Sequence, residues 1–165
     1  MPNPPDVFGF QDFQMHDPDV RRDSADRLVL TAGETAQTAS HELPEQFIIE
    51  VSFRALRVQP LASIEVTLSS SYETGASIRF QVDAGGKVVG YHNNNEIHLP
   101  VGFDFTAFHL IRIETDGTRL HWRLNGIPAV STDFNDLNSP QKIQLLCWQC
   151  STEWAAFTLT KTNGS

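Results

Sequence analysis

Positive charge is scarce in this chain. Twelve Lys and Arg stand against 20 Asp and Glu in 165 residues, a formal net charge of -8. A protein that grips nucleic acid through its phosphates needs a basic surface to displace counterions, and one that sits on anionic lipid needs the same sign. Neither nucleic acid nor a membrane is therefore expected as a partner. Long apolar runs are missing as well, none approaching the ~20 residues of a spanning helix. The start, Met1-Pro-Asn-Pro-Pro-Asp6, has neither the basic nor the apolar region of a secretory signal. Cysteine is limited to Cys147 and Cys150, too few for a disulfide scaffold. Repeats and low-complexity tracts are absent. No window longer than about ten residues carries an apolar stripe at i, i+3, i+4 and i+7, which excludes a substantial helix.

What is present is alternation. In Phe47-Ile-Ile-Glu-Val-Ser-Phe53 the odd positions are all apolar, a period of two that marks a strand with one buried face. Ile78, Phe80 and Val82 alternate in the same way with Arg79, Gln81 and Asp83, and Gly85-Gly86 then offers a reversal before Lys87 to Tyr91. From Phe108 the chain alternates to Asp116-Gly117, resumes with Leu120, Trp122 and Leu124 on one face, and meets Asn125-Gly126 before Ile127 to Val130. Both dipeptides tolerate the positive φ angles of a type I′ turn, so a three-stranded antiparallel meander is expected. Lys142 to Cys147 and Trp154 to Thr160 read as two closing strands, and Phe8 to Phe13 and Asp26 to Thr31 as weaker ones. Many short strands and no helix predict an all-β fold, a two-sheet antiparallel β-sandwich. At 18.4 kDa the prior is a single domain over 1–165, with an irregular segment at 1–25 holding a first strand and the main sandwich at 26–160.

The meander Phe108 to Gly126 resembles the aromatic-His-x-Leu-Arg-Ile, Asp-Gly, x-Leu-(Asp/Asn)-Gly pattern of concanavalin A-like (laminin-G-like) jelly rolls. Glu45 to Phe53 resembles an inner strand of the same superfamily. The tail Ile143 to Leu146 and Ala155 to Leu159 is similar to its last two strands, so the resemblance spans roughly residues 45 to 160. Within it, Phe10 to Phe13 and Leu28 to Leu30 are similar to the opening of accessory sandwich modules of bacterial family 43 and family 32 glycoside hydrolases. The resemblance implies a carbohydrate-related module, a catalytic domain or subunit as partner, and a secreted or cell-surface setting. Fold alone does not choose among the lectins, binding modules, glucanases, lyases and adhesion domains that share it.

Chemical signals narrow the choice. Glucanases of this fold carry a Glu-x-Asp-x-x-Glu strand, which sets three carboxylates on one face, and the sequence has none. Glu45 and Glu50 are five apart and fall on opposite faces of a regular strand. His92-Asn-Asn-Asn95 echoes the galectin His-x-Asn step, but Glu96 and Ile97 stand where the arginine should follow. Cys147-Trp-Gln-Cys150 ends a strand, where two small hydrophobes, or a strained local disulfide, are a better reading than a redox or zinc motif. Asp133, Asn135 and Asp136 are oxygen ligands of the kind Ca²⁺ takes, without the Asp-x-Asp-x-Asp-Gly spacing. A solvated turn is the expectation there, and no cofactor or metal is assigned. Eleven Phe against two Tyr and three Trp put most aromatics in the core. Tyr91, Trp148 and Trp154 differ in abutting polar runs. Sugars stack on flat rings with amides and carboxylates around them, so Tyr91, His92, Asn93, Asn94, Asn95, Trp148 and Trp154 form the candidate ligand-binding set, with no catalytic residue assigned. A non-catalytic module for a polysaccharide or oligosaccharide is the leading expectation. A structural sandwich packed on a catalytic partner, and a small jelly-roll glycosidase or lyase, are the alternatives.

Overall fold

A computed structural model describes residues 7–8, 14–15, 21–24, 27–31, 37–44, 46–69, 74–83, 85, 87–93, 95–99, 103–115, 119–133 and 141–162. Among them there is no helix. The strands are β1 (Val7–Phe8), β2 (Gln14–Met15), β3 (Arg21–Ser24), β4 (Arg27–Thr31), β5 (Gln37–Glu42), β6 (Phe47–Ser69), β7 (Thr74–Val82), β8 (Val88–His92), β9 (Asn95–Ile97), β10 (His109–Thr115), β11 (Arg119–Leu124), β12 (Ile127–Asp133) and β13 (Lys142–Lys161). Every pairing is antiparallel.

Two strands are far longer than the rest. β6 has 23 residues and β13 has 20, and they pair with each other over nearly their whole length. Each belongs to both layers of the sandwich. The first layer runs β12-β11-β10, the start of β6, the end of β13, then β4 and β3, with β1 also on β13. The second runs β9-β8-β7, the end of β6, the start of β13, then β5 and β2. At the corner between the layers Trp148 pairs with Ser63 and Cys150 with Val58. Gln149 thus stands alone opposite Gln59 to Ala62. Leu61 (φ 66°) and Gln149 (φ 58°) take the left-handed conformation there, the kind of bulge that bends a strand from one sheet into another.

Alternation fills the space between the layers as the sequence predicts. Phe47, Ile49, Val51 and Phe53 of β6, Ile78, Phe80 and Val82 of β7, and Leu120, Trp122 and Leu124 of β11 are all buried in one core. The layers touch where Phe53 meets Phe80, ring centroids 5.1 Å apart, and where His92 meets Trp122 edge-on at 5.9 Å. His121 and Arg123 face away from that core. Each aliphatic or aromatic side chain fully buried here contributes roughly 1.5–3 kcal/mol.

The hairpin at Asn125-Gly126 forms, with φ of 53° and 82° as a type I′ turn requires. Asn125 also fastens the turn to β10. Its amide N–H donates to the Leu110 carbonyl, and its Oδ1 accepts the Leu110 N–H, both at 2.8 Å. Its Nδ2 donates to His109 Nδ1 at 3.0 Å, which leaves His109 Nε2 to donate to the Asp104 carbonyl. Asp116-Gly117 lies outside the described residues, though the strands flanking it pair through Thr115 and Leu120. Two expectations need correcting. The tail is one continuous strand rather than two, because bulges at Gln149 and near Ala155 keep the ladder to β6 unbroken. The strand beginning at Phe47 likewise does not stop at Phe53 but turns the corner and continues to Ser69.

Trp122 is 1% exposed, and its Nε1 has no hydrogen-bond partner among the described residues. Trp122→Ala should cost about 3–5 kcal/mol, the range for truncating a core aromatic. Urea denaturation checks this: near-parental stability would mean that the side chain does not fill the interlayer space.

Candidate functional site

Alternation also decides what the second layer shows on its outer side. With Ile78, Phe80 and Val82 inside, Arg79 and Gln81 of β7 point outward. Gly90 and His92 of β8 point in, so Val89 and Tyr91 point out. Only a residue without a side chain fits at 90, because a Cβ there would come within 2.9 Å of Ile97 Cγ1. On β6, Ser63, Glu65 and Thr67 alternate outward with Ile64, Val66 and Leu68 inside. On β13, Gln144, Leu146 and Trp148 alternate outward with Ile143, Leu145 and Cys147 inside.

Strand register turns these positions into rows. One row is Glu96, Tyr91, Arg79, Glu65, Leu146, from β9 to β13. The next is Val89, Gln81, Ser63, Trp148. A third holds Ser77, Thr67 and Gln144. Tyr91 and Trp148, distant in sequence, therefore share one face. They are three strand spacings and one row apart, roughly 16 Å at standard sheet dimensions. Between Tyr91 and the corner lies a pocket of about 240 Å³ lined by Leu61, Gln81, Val82, Asp83, Val89 and Tyr91. Its lining joins the apolar side chains of Leu61, Val82 and Val89 and the Tyr91 ring to the Gln81 amide and the Asp83 carboxylate. The Asp83 Oδ1 accepts the Gly85 and Lys87 N–H groups, each at 2.9 Å, which shapes the turn at the pocket's end. The Arg79 guanidinium lies 4.8 Å over the Tyr91 ring, and Glu65 Oε1 accepts the Thr67 hydroxyl at 2.7 Å.

Of the candidate set, Tyr91 and Trp148 are half-buried on this face and Asn95 is exposed on β9. Asn94 lies outside the described residues. Three side chains are placed where they serve the fold instead. Trp154 is 0% exposed, packs on Phe53 at 5.6 Å and donates its Nε1–H to Thr152 Oγ1 at 3.0 Å, so it offers no ring face to a ligand. His92 is buried between the layers against Trp122. Asn93 (φ 54°) holds the β8–β9 turn to β7, its N–H donating to the Ser77 carbonyl at 3.0 Å and its Oδ1 accepting the Ser77 N–H at 2.9 Å. Arg79, Glu65 and Gln81 were absent from that set. Their signal was the outward phase of β7 and β6.

The remaining chemical candidates fall outside this face. Cys147 and Cys150 are free, buried thiols that both point inward across the bulge. A hydrogen bond with Cys147 draws the Cys150 thiol below its ordinary 9.0, against the opposing effect of burial. Asp133 is exposed and ion-paired with Arg119 at 2.6 Å, while Asn135 and Asp136 lie outside the described residues. Carboxylates on the face are widely spaced. Glu65 and Glu96 are three strands apart, and Glu65 and Asp83 four residues along adjacent strands, each roughly 14 Å. Glycosidase pairs stand about 5–9.5 Å apart, and this face holds none among the described residues. On the first layer, Glu153 and Glu50 are paired to Arg54 and Arg112.

No family model and no curated protein matches the chain. Solved structures do. The chain is similar to Crh5 transglycosylase, with a TM-score of 0.69 at 12% identity over 98% of this chain and 88% of that one. It is similar to the Emp47p carbohydrate recognition domain, TM-score 0.61 at 14% identity, over 93% and 90%. It is also similar to the carbohydrate binding module CBM66 from Bacillus subtilis, TM-score 0.59 at 12% identity, over 91% and 96%. These likenesses show the fold, an all-β antiparallel jelly-roll sandwich.

Burial lowers the His92 pKa from 6.5, partly offset by a backbone hydrogen bond that raises it. The folded chain thus favours the neutral imidazole. Stability is complete above the unfolded value and falls as pH drops below it, where the unfolded chain binds the extra proton first. Thermal melts between pH 8 and pH 5 should show Tm falling more steeply below about 6.5 in the parent than in His92→Phe. Parallel profiles would place the imidazole in water.

Proposed function

We propose that the chain is a non-catalytic carbohydrate-binding module that holds a polysaccharide-degrading glycoside hydrolase near its substrate. The observation that carries this reading is the shared face: Tyr91, which lines a pocket, and Trp148, three strands away, stand on one sheet surface of Gln, Glu, Arg, Ser and Thr side chains. A flat ring covers the apolar side of a pyranose or furanose, and the amides and charged groups around it satisfy hydroxyls. The wide carboxylate spacing supports binding over cleavage. So does the company of the fold, which includes a carbohydrate recognition domain and a binding module beside enzymes.

One stacked ring contributes on the order of 1 kcal/mol beyond its buried area, by analogy with aromatic pairs. A Kd between tens of micromolar and millimolar follows, and tethering to an enzyme makes that sufficient through effective concentration. A second reading has its own observation. Leu56, Val58 and Leu61 are exposed at the corner, at 47%, 37% and 47%, an apolar strip suited to packing on a catalytic partner.

Retardation in gels cast with soluble polysaccharide separates the two. Tyr91→Ala and Trp148→Ala should each weaken retardation about fivefold while leaving the melting curve near that of the parent. Trp154→Ala should instead lose stability. Parental retardation in both outer-face variants would overturn this site, absence of retardation in the parent would favour the docking module, and hydrolysis of the polysaccharide by the chain would make it an enzyme.

A further inference from the structure

Opposite charges placed directly across an antiparallel pair ordinarily close into an ion pair, since their β-carbons are only about 4.5–5.5 Å apart. Arg79 and Glu65 are such a pair by register, yet they do not meet. Glu65 turns along its own strand to accept the Thr67 hydroxyl. Arg79 turns the other way, over the Tyr91 ring. Its Nε is buried and has no hydrogen-bond partner among the described residues. Beside Tyr91, which lines the pocket, a guanidinium and a carboxylate thus share one face without pairing. An unmatched buried donor is costly, and the remaining guanidinium N–H groups and the Glu65 carboxylate keep hydrogen-bonding capacity that a group from outside can take up.

We propose that this unclosed Arg79–Glu65 pair is the specificity element of the face, and that its ligand is an uncharged, hydroxyl-rich glycan and not a polyuronate. This rests on the carbohydrate-binding reading above. A hydroxyl is both acceptor and donor, so it accepts from Arg79 and donates to Glu65 in the same position. A uronate carboxylate would accept from Arg79 but would have nothing to give Glu65. It would also meet repulsion from Glu65 itself. The other cations near this face are Lys87, past the end of β7, and Lys142, which stands opposite Glu42 in the ladder. Like charges facing one another exclude a wrong partner more effectively than extra contacts favour the right one.

Frontal affinity chromatography tests this, with columns of neutral glucan, mannan and xylan oligosaccharides and of oligouronates, at 50 and 500 mM NaCl. The parent should be retained on a neutral column with little change between the two salts, and should pass the oligouronate columns. Arg79→Lys keeps the charge but removes Nε and the planar fork, and should lower neutral retention about tenfold. Glu65→Gln retains an acceptor, so neutral retention should survive and oligouronate retention should emerge at 50 mM NaCl. Thermal melts establish that both variants are folded. Salt-sensitive retention of the parent on oligouronate, abolished by Tyr91→Ala, would overturn the proposal while leaving the carbohydrate-binding reading intact. Parental retention in Arg79→Lys would also overturn it. Passage of the parent through every column would remove both.

Discussion

Everything in this molecule hangs on one ladder, the antiparallel pairing of β6 with β13. In most sandwiches separate strands make up each layer and loops cross between them. Here the two longest strands cross together, still hydrogen-bonded on both sides of the corner. Each half of β6 offers its free edge to a different partner, β10 in the first layer and β7 in the second. The two halves of β13 do the same with β4 and β5. The corner needs non-glycine residues in the left-handed region, Leu61 and Gln149. Such a conformation costs roughly 1–2 kcal/mol per residue, which the pairings on either side must offset.

That ladder also builds the candidate face. Trp148 is the last residue of β13 before the corner, and Ser63 opposite it is among the first of β6 after it. The pocket wall formed by Leu61 is the corner itself. The inner sides of the same strands are the core, so each outer residue is held by its buried neighbours. Arg79 is set between Ile78 and Phe80, Tyr91 between Gly90 and His92, Glu65 between Ile64 and Val66. A face on paired strands is stiffer than one on loops, which suits recognition by fixed hydrogen-bond directions.

Much of the architecture was legible from period and turn chemistry. The alternation of Phe47 to Phe53 and the Asn125-Gly126 turn are local properties, and local rules predict them. The site was legible only in part, for a reason visible in Trp148 and Trp154. They are six residues apart, which on a regular strand puts both on one face. The bulge at Gln149 shifts the phase by one, so Trp148 looks out and Trp154 looks in. The same shift brings Cys147 and Cys150, three apart, both inward. A bulge needs no Gly or Pro, and nothing near Gln149 announces one. His92 misleads differently: adjacency in sequence groups it with Tyr91 as one binding patch, but both belong to β8, where adjacent residues face opposite ways. The meeting of Tyr91 with Trp148 depends on long-range register, which no local window contains.

The shared ladder has a consequence for how the chain reaches its fold. β13 comes last of the thirteen strands among the described residues, and β7 to β12 lie between it and its partner β6. On a ribosome, β6 to β12 emerge well before the strand that must lie beside β6 along its entire length. Until then both halves of β6 keep an open edge with Ile, Val and Phe side chains on it, a surface that pairs readily with other chains. Hairpins such as β11–β12 can close early, but neither layer can. Folding is therefore a late, single event of high contact order and correspondingly slow, and a nascent chain stalled before residue 142 has no stable half-structure to wait in.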